Sequence, residues 1–274
     1  MRIRIAHETR YRYDSPAKGV IQTLRLTPRN HDGQHIVDWR IDVSTDSKLN
    51  RQEDAFGNIM HSFTADGPLD ELAIAVEGVV DTRDTNAVIS GTVEKFPASL
   101  FLRETPLTRA DQPITAFARE AQGHGTGDRL EALHDLLTRL NGAITFDPDP
   151  THVMTTAPEA FALRRGVCQD LSHIFIAAAR TLGIPARYVS GYYRRPDVVQ
   201  QTAGHAWVEA FVENLGWVGF DPTHGVCPSE SHVRVAVGLD YLSASPVRGT
   251  RFGGGAEALT VAIAVEQARA QSQN

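Results

Sequence analysis

Apolar and polar residues alternate along the first third of the chain. Ile3 and Ile5 are separated by arginines, and Ile36 to Val43 repeats the same period of two. Similar runs occupy Asn58 to Phe63 and Leu72 to Val80. A period of two predicts strands with one face on a core and the other towards solvent. Turn chemistry falls between these runs, at Asp14-Ser15-Pro16, Asp32-Gly33, Phe56-Gly57-Asn58 and Asp66-Gly67-Pro68. Residues 1–105 therefore predict a β-rich, sandwich-like or half-barrel domain. It carries no evident chemistry, so its expected role is structural or substrate-positioning.

After Thr105-Pro106-Leu107 the period changes. Helices are predicted over Pro113 to Glu120 and Arg129 to Leu140, the second with a leucine stripe ended by Asn141-Gly142. A short helix over Ala157 to Leu163 is broken by Gly166-Val167. A longer one runs from Cys168 to Leu182 and stops at Gly183, with Leu171, Phe175, Ala178, Ala179 and Leu182 as its buried stripe. Strands follow over Ala186 to Tyr193, His205 to Val212, Trp217 to Asp221 and Leu259 to Val265. The expected organisation is a β-rich domain over 1–105, an α+β core over 106–245, and a C-terminal segment, 246–274, with a closing strand. Gly253-Gly254-Gly255 lacks the helix that a phosphate cradle needs and reads as a flexible turn.

Composition narrows the function classes. With 42% hydrophobic and 22% charged residues among 274, the chain reads as a globular protein with ample core. A net charge of −6 gives no basic field for nucleic acid or anionic lipid, and no long apolar run predicts a membrane span. The start of the chain lacks a leader-like apolar stretch, so the expected compartment is the cytoplasm. Two cysteines make no disulfide framework, and a lone cysteine in a reducing compartment invites a chemical reading.

Cys168 opens its helix directly after a glycine-containing break. Helix N-termini carry partial positive charge and free N–H groups, which favour a thiolate and can hold an oxyanion. An ordinary buried thiol is the bland alternative. The hairpin made by His205 to Val212 and Trp217 to Asp221 adds a base and its orienter. Pairing about a turn near residue 213 places His205 opposite Asp221, within a register step, close enough for a carboxylate to orient an imidazole. Alternation groups His205, Trp207 and Glu209 with Trp217, Gly219 and Asp221, and sends Val208, Ala210, Val212, Val218 and Phe220 to the core. Cys168, His205 and Asp221 thus form a candidate nucleophile, base and orienter.

Four ordered segments carry a family resemblance: Gly166-Val167-Cys168-Gln169-Asp170, Leu182 to Tyr192, His205-Ala206-Trp207-Val208-Glu209, and Gly216 to Thr223. Residues 105–245 resemble the core of bacterial transglutaminase-like proteins, a family often labelled cysteine proteases, and the strand-rich start resembles the β domain that precedes it. The resemblance implies a papain-like α+β core with an antiparallel sheet and Cys168, His205 and Asp221 as catalytic triad. It also implies a thioester formed on a peptide or side-chain carboxamide. Water resolving that thioester makes a protease, peptidase or deamidase; an amine makes a transglutaminase. A non-catalytic binding module that keeps the fold is the alternative of a different class. Animal transglutaminases place a tryptophan after the cysteine and use another indole for the oxyanion. Here Gln169 follows Cys168 and no tryptophan lies between Trp39 and Trp207, so hydrolysis is the expected outcome and the second oxyanion donor is left without a name.

Gln169, Tyr192 and Trp207 are weaker candidates for substrate contact, and the loop from Arg194 to Gly204 for a cleft wall. Asp170 reads as a capping and dipole residue. Cys227 reads as a passive thiol, and His173 and His224, for which the hairpin places no carboxylate, as polar or partly buried histidines. Zinc on Cys168, His205, Cys227 and His232 is disfavoured by the absence of paired-ligand spacing. No metal or cofactor is expected, and the expected partner is a peptide or protein substrate.

Overall fold

The computed structural model describes residues 1–122 and 128–268. Its elements follow the change of period. First come β1 (Arg2–Thr27), β2 (Gln34–Val43), β3 (Asn50–Glu53), β4 (Ile59–Thr82) and β5 (Val88–Ile89). The mixed region holds α1 (Gln112–Gln122), α2 (Arg129–Ala143), β6 (Thr145–Phe146), α3 (Ala157–Leu163), β7 (Arg165–Gly166) and α4 (Cys168–Thr181). Then come β8 (Ala186–Tyr193), β9 (Gln200–Gln201), β10 (His205–Val212), β11 (Gly216–Phe220), β12 (His232–Gly238), α5 (Tyr241–Ala244), β13 (Val247–Gly253) and β14 (Glu257–Gln267).

Two of the expected turns are not turns. Asp14-Ser15-Pro16 lies inside β1 and Asp66-Gly67-Pro68 inside β4, and the two strands pair antiparallel from end to end. Their register shifts between Arg12 and Ala17 and again before Gly19, where β4 contributes Leu69 and Asp66. The two turn-like signals therefore mark one kink in a long ribbon, a use of Pro and Gly that bulged strands permit. A Cβ at Gly67 would lie 2.1 Å from the Ala17 carbonyl oxygen, so only glycine fits the crossing.

Strands β1 to β4 join β13, β14 and the short β9 in one sheet, with β14 against Ile3 to Tyr13 and β13 against Ala17 to Leu24. The C-terminal segment thus contributes two strands to the sheet begun by the first residues. The second sheet runs β12-β8-β10-β11-β5, antiparallel throughout. Two side-chain amides join the sheets: Asn58 bonds both the N–H and the C=O of Val237 at 2.8 Å, and Gln34 bonds those of Arg234 at 2.8 and 2.9 Å. Each amide satisfies backbone groups of the edge strand β12, which an edge otherwise leaves open.

Helix α4 packs on β8 and β10 and against α1, α2 and α3. It differs from the amphipathic helix expected: every residue from Gln169 to Arg180 is buried. Encirclement by helices and sheet removes its solvent face; most of its polar side chains find partners there, while the Ser172 hydroxyl is buried without one. Arg180 donates to the carbonyls of Phe101, Ala186 and Leu239 and to the Thr108 hydroxyl, at 2.7–2.9 Å. The hairpin is likewise buried on both faces. Glu209, fully buried, receives Arg187 and Arg234 at 2.7 Å each, and Arg187 lies 3.8 Å from the centre of the Trp217 ring. The polar face expected to differ from the core is itself interior, made tolerable by pairing.

Candidate active site

Cys168 is the first residue of α4. The N-cap is Val167, whose side chain offers no acceptor, among the poorest choices for that position. The helix start is instead held from inside: Asp170 Oδ2 accepts the Val167 N–H at 2.8 Å and the Thr151 hydroxyl at 2.8 Å. Asp170 thus acts as the capping residue the sequence suggests. A Cβ at Gly166 would lie 2.8 Å from Asp170 Oδ2, so the glycine two residues before Cys168 makes room for that carboxylate. Val167 gives no side-chain cap to the N–H groups that follow it, and Val167, Cys168 and Gln169 line a cavity.

His205 opens β10, and Asp221 follows β11. The register differs from the one expected. Val208 pairs with Phe220 and Val212 with Gly216, so the turn centres on Asn214, at φ 69°, and Asp221 lies across from Trp207. Asparagine tolerates that left-handed conformation, which moves the turn centre by one residue and the partner by two. The side chains still meet: His205 Nε2 donates to Asp221 Oδ2 at 2.7 Å. That bond assigns the ring, because with Nε2 engaged, Nδ1 is the nitrogen left for the cysteine.

Asp221 is fully buried and serves three imidazoles, not one. Its Oδ2 also accepts His224 Nδ1 at 2.8 Å and His232 Nε2 at 3.2 Å, and its Oδ1 accepts the N–H of Thr223 at 3.1 Å and of His224 at 3.3 Å. His224 does have a carboxylate, contrary to expectation, because the turn after Asp221 folds its ring back. His232 is fixed as a neutral donor: its Nδ1 accepts the Ser229 N–H at 3.2 Å, and burial lowers its pKa. Burial opposes charge on Asp221 too, but the surrounding imidazoles hold its carboxyl well below the usual range. Burial likewise opposes charge on His205, yet Asp221 and the Cys168 sulfur outweigh it and raise the imidazole to about 10. At neutral pH His205 therefore carries its proton beside the sulfur.

Ligand atoms of His205, Asp221 and His232 lie within 4.8 Å of one another, which makes them a set that could accept a metal. The ring nitrogens involved already donate to Oδ2, so the arrangement serves hydrogen bonding as it stands. Trp207 is buried beneath the imidazoles, 6.0 Å from the His205 ring and 5.3 Å from that of His232. It is absent from the cavity wall, so it supports the base where a substrate contact was expected. Cys227 is half-buried, and burial pushes its thiol up, as befits a passive residue. His173 is buried and neutral at about 4, accepting the Tyr241 N–H at 3.0 Å.

A cavity of about 270 Å³ lies over Cys168 and His205. Gln169 and Tyr192 line it, as does the end of the expected loop wall, Thr202 to Gly204. The other wall comes from the first sheet: His7, Thr9 and Tyr11 of β1 and Leu259 and Val261 of β14. His7 holds Tyr192, with Nδ1 2.9 Å from the hydroxyl, and burial keeps it neutral at about 4. Residues of the first sheet thus line the cavity, a placement compatible with the structural or substrate-positioning role expected of that region.

A cysteine at a helix start, a histidine on the adjoining sheet and an aspartate behind it are thus brought together on an α+β fold, as candidates for a thiol site. The comparisons agree in class. Residues 3–81 match the bacterial transglutaminase-like N-terminal region and residues 115–222 the transglutaminase-like superfamily. A Mycobacterium leprae protein described only as uncharacterised is 30% identical over 280 residues, covering 96% of this chain and 98% of its own. A Pseudomonas aeruginosa protein-glutamine gamma-glutamyltransferase is 33% identical over 147 residues, 48% of this chain and 22% of that one. A crystal structure from Cytophaga hutchinsonii, described as a candidate cysteine protease, shares the fold: TM-score 0.79 at 20% identity, over all of this chain and 92% of that one. The chain belongs to the transglutaminase-like superfamily.

Proposed function

We propose that this protein is a cysteine-dependent acyl-transfer enzyme that acts on a peptide or side-chain carboxamide and resolves the acyl-enzyme chiefly with water. The observation that carries the reading is the hydrogen bond from His205 Nε2 to Asp221, which turns Nδ1 towards Cys168. The Cys168 sulfur attacks the carbonyl carbon, the C–N bond breaks, and His205 gives its Nδ1 proton to the departing amine. The imidazole then takes a proton from water, whose oxygen attacks the thioester and frees the sulfur. Asp221 keeps the ring oriented and stabilises its charged form throughout.

Preference for water rests on the surroundings of the sulfur. Trp207 and Trp217 are buried within the sheet, and Gln169 occupies the position where the resemblance sets an indole. No tryptophan side chain lines the cavity among the described residues, so nothing aromatic of that kind is set to hold an amine and exclude water. The Pseudomonas relative favours the second reading, amine transfer. Glutamine-containing peptides with excess primary amine, followed by mass spectrometry, decide between them. Cleavage or deamidation (about +1 Da) is expected to exceed amine adducts; adducts in excess at millimolar amine overturn the hydrolytic reading.

A further inference from the structure

The tetrahedral intermediate of this reaction places negative charge on the former carbonyl oxygen, and one backbone N–H is a thin reception for it. Among the described residues, one buried side chain at the cavity wall has a hydroxyl without a protein partner. Tyr188 sits on β8, in the middle of the second sheet, and is 2% exposed. Its hydroxyl makes no hydrogen bond to any described residue, yet it lines the same cavity as Val167, Cys168 and Gln169. Buried hydroxyls are ordinarily paired, so an open one beside a nucleophile calls for an explanation.

The ring is held at fixed points. It packs 5.3 Å from the ring of His173, five residues along α4 from Cys168, and 6.2 Å from that of Tyr241. Those contacts grip the ring from the helix and from α5, and the residue lines the cavity beside Cys168. Other donors nearby are committed: the Gln169 amide donates to the Val153 carbonyl at 3.2 Å, and the Tyr192 hydroxyl is engaged by His7. Tyr241 also lines the cavity, but it is half-buried and so less fixed and more hydrated.

We propose that Tyr188 is a catalytic residue whose hydroxyl, together with the Cys168 backbone N–H, forms the oxyanion site of this enzyme. The proposal rests on Cys168 as the acylated nucleophile. As the S–C bond forms, the carbonyl π pair moves to oxygen, and the Tyr188 O–H donates a hydrogen bond to that oxygen without giving up its proton. When the carbonyl reforms, the amine leaves with the proton from His205, and the tyrosine is unchanged. The start of α4 fits this picture: Asp170 takes the Val167 N–H, while the valine N-cap offers no side-chain acceptor to the N–H groups that follow.

The test separates carbonyl chemistry from simple alkylation. Acylation of Cys168 by p-nitrophenyl acetate passes through an oxyanion; alkylation by iodoacetamide is a displacement at saturated carbon and does not. Both are followed by intact mass on wild type, Tyr188→Phe, Tyr241→Phe and Cys168→Ala. Tyr188→Phe is expected to slow acylation by about tenfold or more, towards the 10²–10³ seen for loss of one oxyanion donor, with alkylation within about twofold. Tyr241→Phe is expected to change neither. Equal acylation rates in wild type and Tyr188→Phe, or a loss carried by Tyr241→Phe, overturn the proposal. Acylation that persists in Cys168→Ala instead overturns the nucleophile assignment. If Tyr188→Phe also loses alkylation, the site is disturbed, and Tyr188→3-fluorotyrosine replaces it. That variant keeps the ring and makes the hydroxyl a stronger donor, so the acylation-to-alkylation ratio is expected to rise; an unchanged ratio counts against Tyr188.

Discussion

The first sheet is built on two long strands of 26 and 24 residues, the second on strands of eight residues or fewer, and they treat polar residues in opposite ways. Along β1 and β4 buried positions alternate with open ones, and the outward charges of this sheet pair in water, as Arg40 and Asp42 of the neighbouring β2 do at 74% and 52% exposure. In β8, β10 and β12 nearly every residue is buried, whichever face it takes. A polar group on the second sheet has no solvent to turn to. It must find a counter-charge or a ring nitrogen, and this is why Glu209 and Asp221 acquire specific neighbours there. Reactivity arises where the sheet is wrapped on both sides.

Disturbing the wrapped sheet should have large effects. Asp221→Asn is expected to lower turnover about 10⁴-fold, by analogy with the serine-protease triad, through loss of the imidazolium partner and misassigned tautomers. It also removes the common acceptor of three histidines, so a drop in thermal stability should accompany the loss of rate. Unchanged kinetics on any turned-over substrate would remove Asp221 from the site. Arg187→Met leaves Glu209 with Arg234 as its remaining described partner, and a loss of about 3–5 kcal/mol is expected from denaturant titration. A cost under 1 kcal/mol would show that the buried network is dispensable.

The pH dependence of stability sharpens the same contrast. His205 is raised from 6.5 to about 10, so its contribution is complete below pH 6.5 and fades as pH rises through about 10. Asp221 is depressed below 3.8, so its contribution is present above that value and fades as pH falls through the lower one. The difference in melting temperature between wild type and Asp221→Asn is therefore expected to be greatest between about pH 4 and 6.5 and to shrink towards pH 10. A gap that widens on approach to pH 10 would contradict the charged pair. At the small end, Arg40→Ala on the open sheet is expected to leave the denaturation midpoint essentially unchanged. A clear fall in the midpoint would mean that the first sheet depends on its surface pairs after all.

Much of the site was legible because its chemistry is local to each segment. A glycine break before Cys168, the strand beginning at His205 and the strand ending near Asp221 each carry their own pattern, and their order matches a family. What was hidden depends on tertiary pairing. His232 reaches Asp221 from β12, a strand whose place beside β8 no nearby residue announces. The kinked ribbon of β1 and β4 was hidden for a related reason: Pro and Gly mean a turn or a bulge according to what lies across the sheet. His224 was nearer to view, three residues after Asp221, where a turn can fold a ring back onto the carboxylate. The lining of the cavity by β1 and β14 required the two ends of the chain to meet.

The central claim is that Cys168, and not Cys227, is the nucleophile. Iodoacetamide alkylation at pH 6, mapped by mass spectrometry, tests it most directly, since one sulfur has a protonated imidazole beside it and the other is pushed towards the neutral thiol by burial. Rapid labelling of Cys168 with Cys227 largely unmodified is the expected result. Labelling of Cys227 as fast as or faster than Cys168 would contradict it.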